Sequence, residues 1–205
     1  MTSGPKPGAT GLFGGAFDPP HRGHLALARE SLRQFDLARL VVTVTGVPPH
    51  KTVQTDPGTR LELARAAFDD VPATVVSRRE LDVAGPSYTL DTVRWATAEY
   101  GEVMVIVGAD QLVSFHAWHQ PAQILAEAWL AVATRAGVDN AAVERAVGAM
   151  EDAERVILFE IPDIPISSSA IQARVANGET IEDLVPPTVA RYVEVHQLYL
   201  DHQGA

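Results

Sequence analysis

The chain has no cysteine in its 205 residues, which excludes disulfide bonds and thiolate metal sites. It has no apolar run long enough to cross a membrane as a helix, and residues 1–9 lack the apolar core of a signal peptide. We therefore expect a cytoplasmic protein with no membrane partner. Residues 1–9 are predicted to form a flexible tail.

Basic residues are in the minority, because 16 Lys and Arg stand against 26 Asp and Glu, for a net charge of −10. This charge argues against a nucleic acid as the main partner, although one local basic pocket for phosphates is compatible with it. Internal repeats and low-complexity segments are absent, and 46% of the residues are hydrophobic. Residues 10–205 are therefore predicted to fold as a single domain.

Short β-branched runs alternate with segments of helical periodicity along the chain. Strands are predicted at 10–13, 40–44, 73–76, 103–107, 129–133 and 156–159. Helices are predicted near 22–35, 59–69, 89–100, 121–128 and 139–150, the second opened by a capping box at 59–62. Several strands are apolar on both faces, as in a parallel sheet covered by helices on each side. The pattern predicts a Rossmann-like, doubly wound α/β fold with substrates at the carboxyl ends of the strands.

The first predicted strand runs into paired glycines and then into two histidines at the start of a helix. Gly14 and Gly15 lack the side chains that would keep a phosphate away from the backbone N–H groups. A helix that begins near Arg22 directs its free N–H donors and partial positive charge at the same place. His21 and His24 share a helix face and would stabilise charge on a leaving pyrophosphate. The segment predicts nucleotidyl transfer without a covalent intermediate.

A second motif follows the second predicted strand. Pro48 and Pro49 stiffen a loop that presents His50 and Lys51 with little conformational freedom to lose. Such a pair suits an anion-binding site. An ordinary solvated loop is the alternative interpretation of these four residues.

A third motif places hydroxyl groups at the start of the third predicted helix. Ser87, Tyr88 and Thr89 lie where free N–H groups would receive a carboxylate. N-capping by Ser87 or Thr89 also explains the pattern, and the two roles are compatible.

Two further features point to the same edge of the sheet. Ser167, Ser168 and Ser169 precede a helical segment, and capping accounts for one serine of the three. Trp118 has polar neighbours, which suggests a half-exposed turn where its ring could stack on a ligand, although tryptophan is more often a core residue.

Together these segments resemble the nicotinate-nucleotide adenylyltransferases of the nucleotidyltransferase superfamily over about residues 10–200. The matching motifs are G-G-x-F-D-P-x-H-x-G-H at 14–24, P-P-H-K at 48–51 and S-Y-T-x-D-T at 87–92. The resemblance implies transfer of AMP from ATP, with Mg²⁺ on its triphosphate, to nicotinate mononucleotide. The products would be deamido-NAD and pyrophosphate, in a late step of NAD biosynthesis.

The resemblance also implies a role for individual residues. The catalytic candidates are His21 and His24. The candidates for ATP binding are Gly14, Gly15, Phe17, Asp110, Ile166, Ser167, Ser168, Ser169 and Arg174. The candidates for nicotinate-nucleotide binding are Ala16, His50, Lys51, Ser87, Tyr88, Thr89 and Trp118. Asp110 would accept hydrogen bonds from ribose hydroxyls and Trp118 would stack on the pyridine ring. No protein carboxylate cage for a metal is evident in the sequence.

Three positions depart from the family pattern. Ala16 stands where Thr or Ser is usual, which removes one hydroxyl contact to a substrate phosphate. Ser169 replaces a threonine and keeps the hydroxyl. Gln172 replaces an arginine, so that either Arg174 takes over its contact with the triphosphate or the donor site is weaker.

Two other functions remain open at the level of sequence. One is a different adenylyltransferase of the superfamily, such as the pantetheine-phosphate enzyme, against which the residues 87–92 and Trp118 argue. The other is a non-catalytic nucleotide sensor that kept the fold. The sequence leaves open whether the chain forms a homo-oligomer and how strictly it prefers nicotinate over nicotinamide mononucleotide.

Overall fold

The computed structural model describes residues 4–48, 53, 55–135, 140–150 and 152–200. Within these ranges, six strands form one sheet in which every neighbouring pair is parallel. The strands are β1 (Thr10–Gly15), β2 (Arg39–Val44), β3 (Thr74–Ser77), β4 (Val103–Gly108), β5 (Trp129–Arg135) and β6 (Val156–Ile161). Their order across the sheet is β3-β2-β1-β4-β5-β6. The chain therefore winds outward from β1 in two directions, and a crevice opens between the carboxyl ends of β1 and β4.

The helices of the described ranges are α1 (Arg22–Gln34), α2 (Pro57–Phe68), α3 (Thr89–Tyr100), α4 (Ala109–Val113), α5 (Pro121–Glu127), α6 (Ala141–Gly148), α7 (Ser168–Ala176) and α8 (Pro187–Val195). Helices α1 to α6 lie in the connections between successive strands, and α7 and α8 follow the last strand. Two 3₁₀ turns, Phe115–Ala117 and Ala153–Arg155, complete the described elements. None of the helices in the described ranges is long and apolar enough to cross a membrane.

Each face of the sheet carries its own hydrophobic core. Adjacent residues of β1 point into different cores. Phe13 packs into the core formed with α1, α2, α7 and α8. Leu12 packs into the opposite core with α3, α5 and α6. Both side chains are almost fully buried. This alternation explains why the strands are apolar on both faces, and it confirms the predicted doubly wound α/β fold.

The beginning of α2 differs from the sequence-based expectation. The capping box predicted at 59–62 is wrong, because the helix begins two residues earlier, at Pro57. Asp56 is the N-cap residue, and its carboxylate accepts a hydrogen bond from the Thr59 N–H at 2.9 Å. Proline favours the first helical position because its missing N–H would have no partner there. The short α4 and the later α8 were not predicted.

Residues 4–9 are the described part of the predicted tail. The Gly8 N–H donates to the Asp36 carbonyl at 3.1 Å, and the Lys6 N–H donates to the Glu102 carboxylate at 2.9 Å. Ala9 is buried. The chain is therefore attached to the body of the protein several residues before β1 begins.

Candidate active site

The carboxyl ends of β1, β2, β4 and β5 open into a cavity of about 1200 Å³. This volume exceeds the roughly 300–1,000 Å³ that is typical of a site for one small molecule. The N-termini of α1, α3 and α7 all contribute residues to its wall. The cavity therefore combines room for two nucleotides with three helix ends that favour negative charge.

The two histidines of the first motif stack at the start of α1. His21 is the N-cap residue, and its ring lies 3.7 Å from the ring of His24, centroid to centroid, at an interplanar angle of 25°. The backbone N–H of His21 donates to Nδ1 of the His24 ring at 3.2 Å. Because Nδ1 accepts, this nitrogen carries no proton, and the ring proton of His24 is on Nε2.

Gly23 packs closely against the side chain of the first histidine. A β-carbon at position 23 would lie 3.1 Å from Nδ1 of His21. The His21 ring is buried, and this burial, reinforced by the positive charge of Arg135, lowers its pKa to about 4. His21 is therefore neutral at pH 7 in the ligand-free protein.

The start of α7 lies against the loop that follows β1. Ser167 caps the helix by accepting a hydrogen bond from the Ala170 N–H at 3.2 Å. Ser168 instead donates its hydroxyl to the Pro19 carbonyl at 2.9 Å. The Gln172 amide donates to the carbonyl of Asp18 at 2.6 Å. The α7 side chains therefore set the position of the loop that carries the first motif.

The start of α3 is built differently from the capping expected for Ser87 or Thr89. Tyr88 is the N-cap residue, and its side chain makes no capping hydrogen bond. The Ser87 hydroxyl accepts from the Gly46 N–H at 3.1 Å and thus connects α3 to the loop after β2. A β-carbon at Gly46 would lie 2.5 Å from the Glu80 carbonyl oxygen, so only glycine allows this approach.

Two more of the predicted residues line the cavity from the β4 side. Asp110 is in the first turn of α4, directly after β4, and is exposed. Trp118 is half-buried against Phe115, with ring centroids 5.2 Å apart. The neighbouring His119 ring stacks on Tyr88 at 4.3 Å, which brings the α3 start and the Trp118 turn together.

Residues 12–174 match the family model described as cytidylyltransferase-like. A protein from Albidiferax ferrireducens is 40% identical over 200 residues, which cover 92% of this chain and 96% of that protein. One from Thermomicrobium roseum is 37% identical over 195 residues, covering 92% of this chain and 90% of that protein. Both are named "Probable nicotinate-nucleotide adenylyltransferase". The chain belongs to the nicotinate-nucleotide adenylyltransferase family.

Solved structures of nicotinic acid mononucleotide adenylyltransferase share the fold. The Plasmodium falciparum protein complexed with NaAD matches with a TM-score of 0.74 at 15% identity, covering 94% of this chain and 97% of that one. The Plasmodium falciparum protein complexed with APC matches with a TM-score of 0.72 at 15% identity, again covering 94% and 97%. At this identity the likeness establishes the α/β architecture alone.

Most residues that the family motifs single out line the one cavity. They are Gly14, Gly15, Ala16, Phe17, His21, His24, Ser87, Tyr88, Thr89, Asp110, Trp118, Ile166, Ser167, Ser168 and Ser169. Arg174 is not among the lining residues, because its guanidinium pairs with Glu179 at 3.2 Å and with Asp183 at 3.6 Å. His50 and Lys51 lie outside the described residues. Pro48, the last described residue of that motif before the gap, does line the cavity.

Three charged residues near the cavity escaped the motif-based predictions. Arg135, at the end of β5, is the single Lys or Arg among the described lining residues. Glu80 lines the cavity beside the start of α3, and its carboxylate accepts from the Thr92 hydroxyl at 2.9 Å. Arg60, on α2, is fully buried behind the loops that follow β1 and β2. The first two belong to no motif, and Arg60 would be assigned to a solvated helix face from its residue type.

Proposed function

We propose that the chain transfers the adenylyl group of ATP to nicotinate mononucleotide, releasing pyrophosphate and forming deamido-NAD. One observation carries this proposal. Two stacked histidines and three helix N-termini meet around a single cavity that has room for two nucleotides, in a chain of the nicotinate-nucleotide adenylyltransferase family. Such a site favours phosphate groups and the charge that develops when a pyrophosphate leaves.

The ATP would lie across the starts of α1 and α7. Backbone N–H groups beside Gly14 and Gly15 would contact its phosphates, together with the N–H groups and the Ser169 hydroxyl at the start of α7 and the side chains of His21 and His24. Ser168, whose hydroxyl donates to the Pro19 carbonyl, would hold the loop that carries the first motif beside the phosphates. Asp110 would accept hydrogen bonds from ribose hydroxyls. Phe17 and Ile166, which also line the cavity, would complete the ATP site.

The acceptor nucleotide would lie on the α3 side of the same cavity. The start of α3 at Tyr88 and Thr89 offers N–H and hydroxyl donors to the nicotinate carboxylate, and Trp118 offers its ring to the pyridine. Ser87, whose N–H donates to the Val47 carbonyl, would hold the loop after β2 beside this helix end. The loop after β2, through His50 and Lys51, would hold the 5′-phosphate.

The reaction needs no protein nucleophile. An oxygen of the acceptor's 5′-phosphate, already ionised at pH 7, attacks the α-phosphorus of ATP, and the bond from that phosphorus to the bridging oxygen of pyrophosphate breaks. Catalysis is then positioning and charge stabilisation. The Nε2–H of His24 would donate to a phosphate oxygen as negative charge moves to the leaving group.

Mg²⁺ would enter as part of the nucleotide substrate. The triphosphate oxygens supply the hard ligands that Mg²⁺ prefers. Among the described residues, no group of three His, Asp or Glu side chains is placed to hold a metal ion. The chain's own contribution would be to orient the phosphates that carry the ion.

Pyrophosphate release tests this function. The protein is mixed with Mg-ATP and, in parallel, with nicotinate mononucleotide, nicotinamide mononucleotide or pantetheine phosphate. We expect rapid release with nicotinate mononucleotide and a kcat/KM about 10²-fold lower with the amide, since charge-assisted hydrogen bonds to a carboxylate exceed neutral ones by about 1–2 kcal/mol each. Preference for pantetheine phosphate would replace the proposal with the other adenylyltransferase, and ATP binding without release would favour a sensor.

A further inference from the structure

Arg60 is the largest side chain that the described part of the protein buries completely, with 1% of its surface exposed. It projects from the first turn of α2 and does not line the cavity. Burying a guanidinium away from water is costly, and an apolar side chain of the same size often gives equal or greater stability. The presence of a charge here therefore calls for an explanation other than packing.

All hydrogen bonds that Arg60 donates in the described structure go to backbone carbonyls of loops at the sheet edge. Nη1 donates to the Ala16 carbonyl at 3.0 Å and to the Thr45 carbonyl at 2.7 Å. Nη2 donates to the Gly46 carbonyl at 3.2 Å, and Nε donates to the Thr55 carbonyl at 3.1 Å. One planar group thus joins the loop after β1 to both ends of the loop after β2.

No carboxylate forms an ion pair with Arg60 among the described residues. Burial lowers the pKa of Arg60, and the nearby negative charges of Asp18 and Asp56 oppose that effect. Asp18 is itself held by the Tyr199 hydroxyl, which donates to its Oδ1 at 2.7 Å. The guanidinium is therefore satisfied by carbonyl oxygens whose positions it defines, in a fork geometry that lysine cannot reproduce.

We propose that Arg60 is a positioning residue that fixes the two described ends of the loop after β2, at residues 45–46 and at Thr55, relative to the phosphate loop after β1. This rests on the proposed function, in which each loop holds one of the two reacting nucleotides. In-line attack requires the acceptor oxygen within about 3–3.5 Å of the α-phosphorus, and a misplacement of about 1 Å costs on the order of 10²-fold in rate. Arg60 acts on this distance without touching either substrate.

The test compares Arg60→Met and Arg60→Lys with Arg65→Met, an exposed arginine on the same helix that pairs with Glu62. The kcat and both KM values are measured well below each variant's melting temperature. For Arg60→Met we expect kcat to fall about 10- to 100-fold and the KM for nicotinate mononucleotide to rise, with the KM for ATP within about twofold. Arg60→Lys should recover part of kcat, and Arg65→Met should match the wild type.

Hydrogen exchange of the ligand-free protein gives a readout that does not depend on the reaction. The Thr45 N–H donates to the Gly15 carbonyl, and the Gly46 N–H donates to Ser87. Both amides should exchange about tenfold or more faster in Arg60→Met, while amides of β5 should keep their rates. The exchange result holds even if the wild type fails to use nicotinate mononucleotide, so the proposed function and the role of Arg60 can fail separately.

Several results would overturn the role of Arg60. A folded Arg60→Met with wild-type kcat and unchanged exchange at Thr45 and Gly46 would show that the side chain only fills space. An equal rise of both KM values at constant kcat would indicate general loosening. Failure of both Arg60 variants to fold would make the residue a structural requirement.

Discussion

The amide of Gln172 donates to the carbonyl of Asp18 at 2.6 Å, across 154 positions of sequence. Its nitrogen is therefore engaged with the loop after β1 rather than directed at the triphosphate space. Arg174 pairs with Glu179 and Asp183. Gln172, which stands where the family pattern has an arginine, therefore contacts the phosphate loop and holds it in place. The first prediction tests this contact.

Gln172→Ala should destabilise the protein by about 1 kcal/mol, because the part-buried Asp18 carbonyl loses its donor. For a chain of this size that corresponds to a drop of about 2–4 °C in the melting temperature. Gln172→Glu has nearly the same shape but no donor at pH 8, and it should melt lower still. Thermal unfolding followed by circular dichroism checks both, and an unchanged melting temperature in the glutamate variant would refute the role of this contact.

His24→Ala should lower kcat by on the order of 10²-fold, since it removes a donor that acts on developing charge. His21→Ala should behave similarly. Initial rates of pyrophosphate release give kcat, and circular dichroism verifies that the variants fold. His196→Ala, which changes an exposed histidine at the end of α8, serves as the control. Near-wild-type turnover in both motif variants would remove these histidines from the chemistry.

Acid should destabilise the protein partly through His21. Its pKa is lowered from 6.5 to about 4, so the unfolded chain binds this proton at a higher pH than the folded one. The free energy of unfolding is unaffected by this proton above about pH 6.5. It falls by about 3 kcal/mol in total as the pH drops from about 6.5 to 4, because protonation of His21 then favours the unfolded chain.

The measurement compares urea unfolding of the wild type and His21→Gln at pH 7 and pH 4.5. The variant has no proton to take up at this position, so its free energy of unfolding should fall less between the two pH values. His196→Gln should behave as the wild type does. Equal pH dependence in all three proteins would contradict the assigned pKa shift.

Glu80 should have the opposite effect at higher pH. Burial raises the pKa of this carboxyl group, although hydrogen bonds from the Thr92 and Ser87 hydroxyls partly offset the shift. The contribution of this group to stability is fully present below its usual pKa of 4.5, where the carboxyl group is protonated. The contribution is lost as the pH rises through the higher pKa of the folded state. Glu80→Gln should therefore gain stability relative to the wild type between pH 4.5 and pH 8.

Melting temperatures of the two proteins at both pH values test this prediction. Glu62→Gln, which changes an exposed carboxylate paired with Arg65, is the matched control and should show no such trend. A constant difference between Glu80→Gln and the wild type at both pH values would be the contrary result.

The sequence alone determined the sheet and the strand ends at which the candidate site residues gather. Strands such as 103–107 are apolar on both faces, and a local pattern of this kind is sufficient to predict burial between two helix layers. The paired glycines and the two histidines are likewise a local signal, because the phosphate site they predict is made by adjacent residues at one strand end. Their position at the cavity follows from the parallel sheet itself.

The tertiary structure decided which partner each polar side chain takes. From the sequence, Ser87 was expected to cap a helix, but its hydroxyl accepts from the Gly46 N–H because the loop after β2 and the start of α3 lie side by side. Gln172 and Arg60 satisfy carbonyls of loops far away in sequence. Helix propensity and periodicity report only on neighbours within one turn, whereas these hydrogen bonds exist because the strand order places the loops after β1 and β2 together.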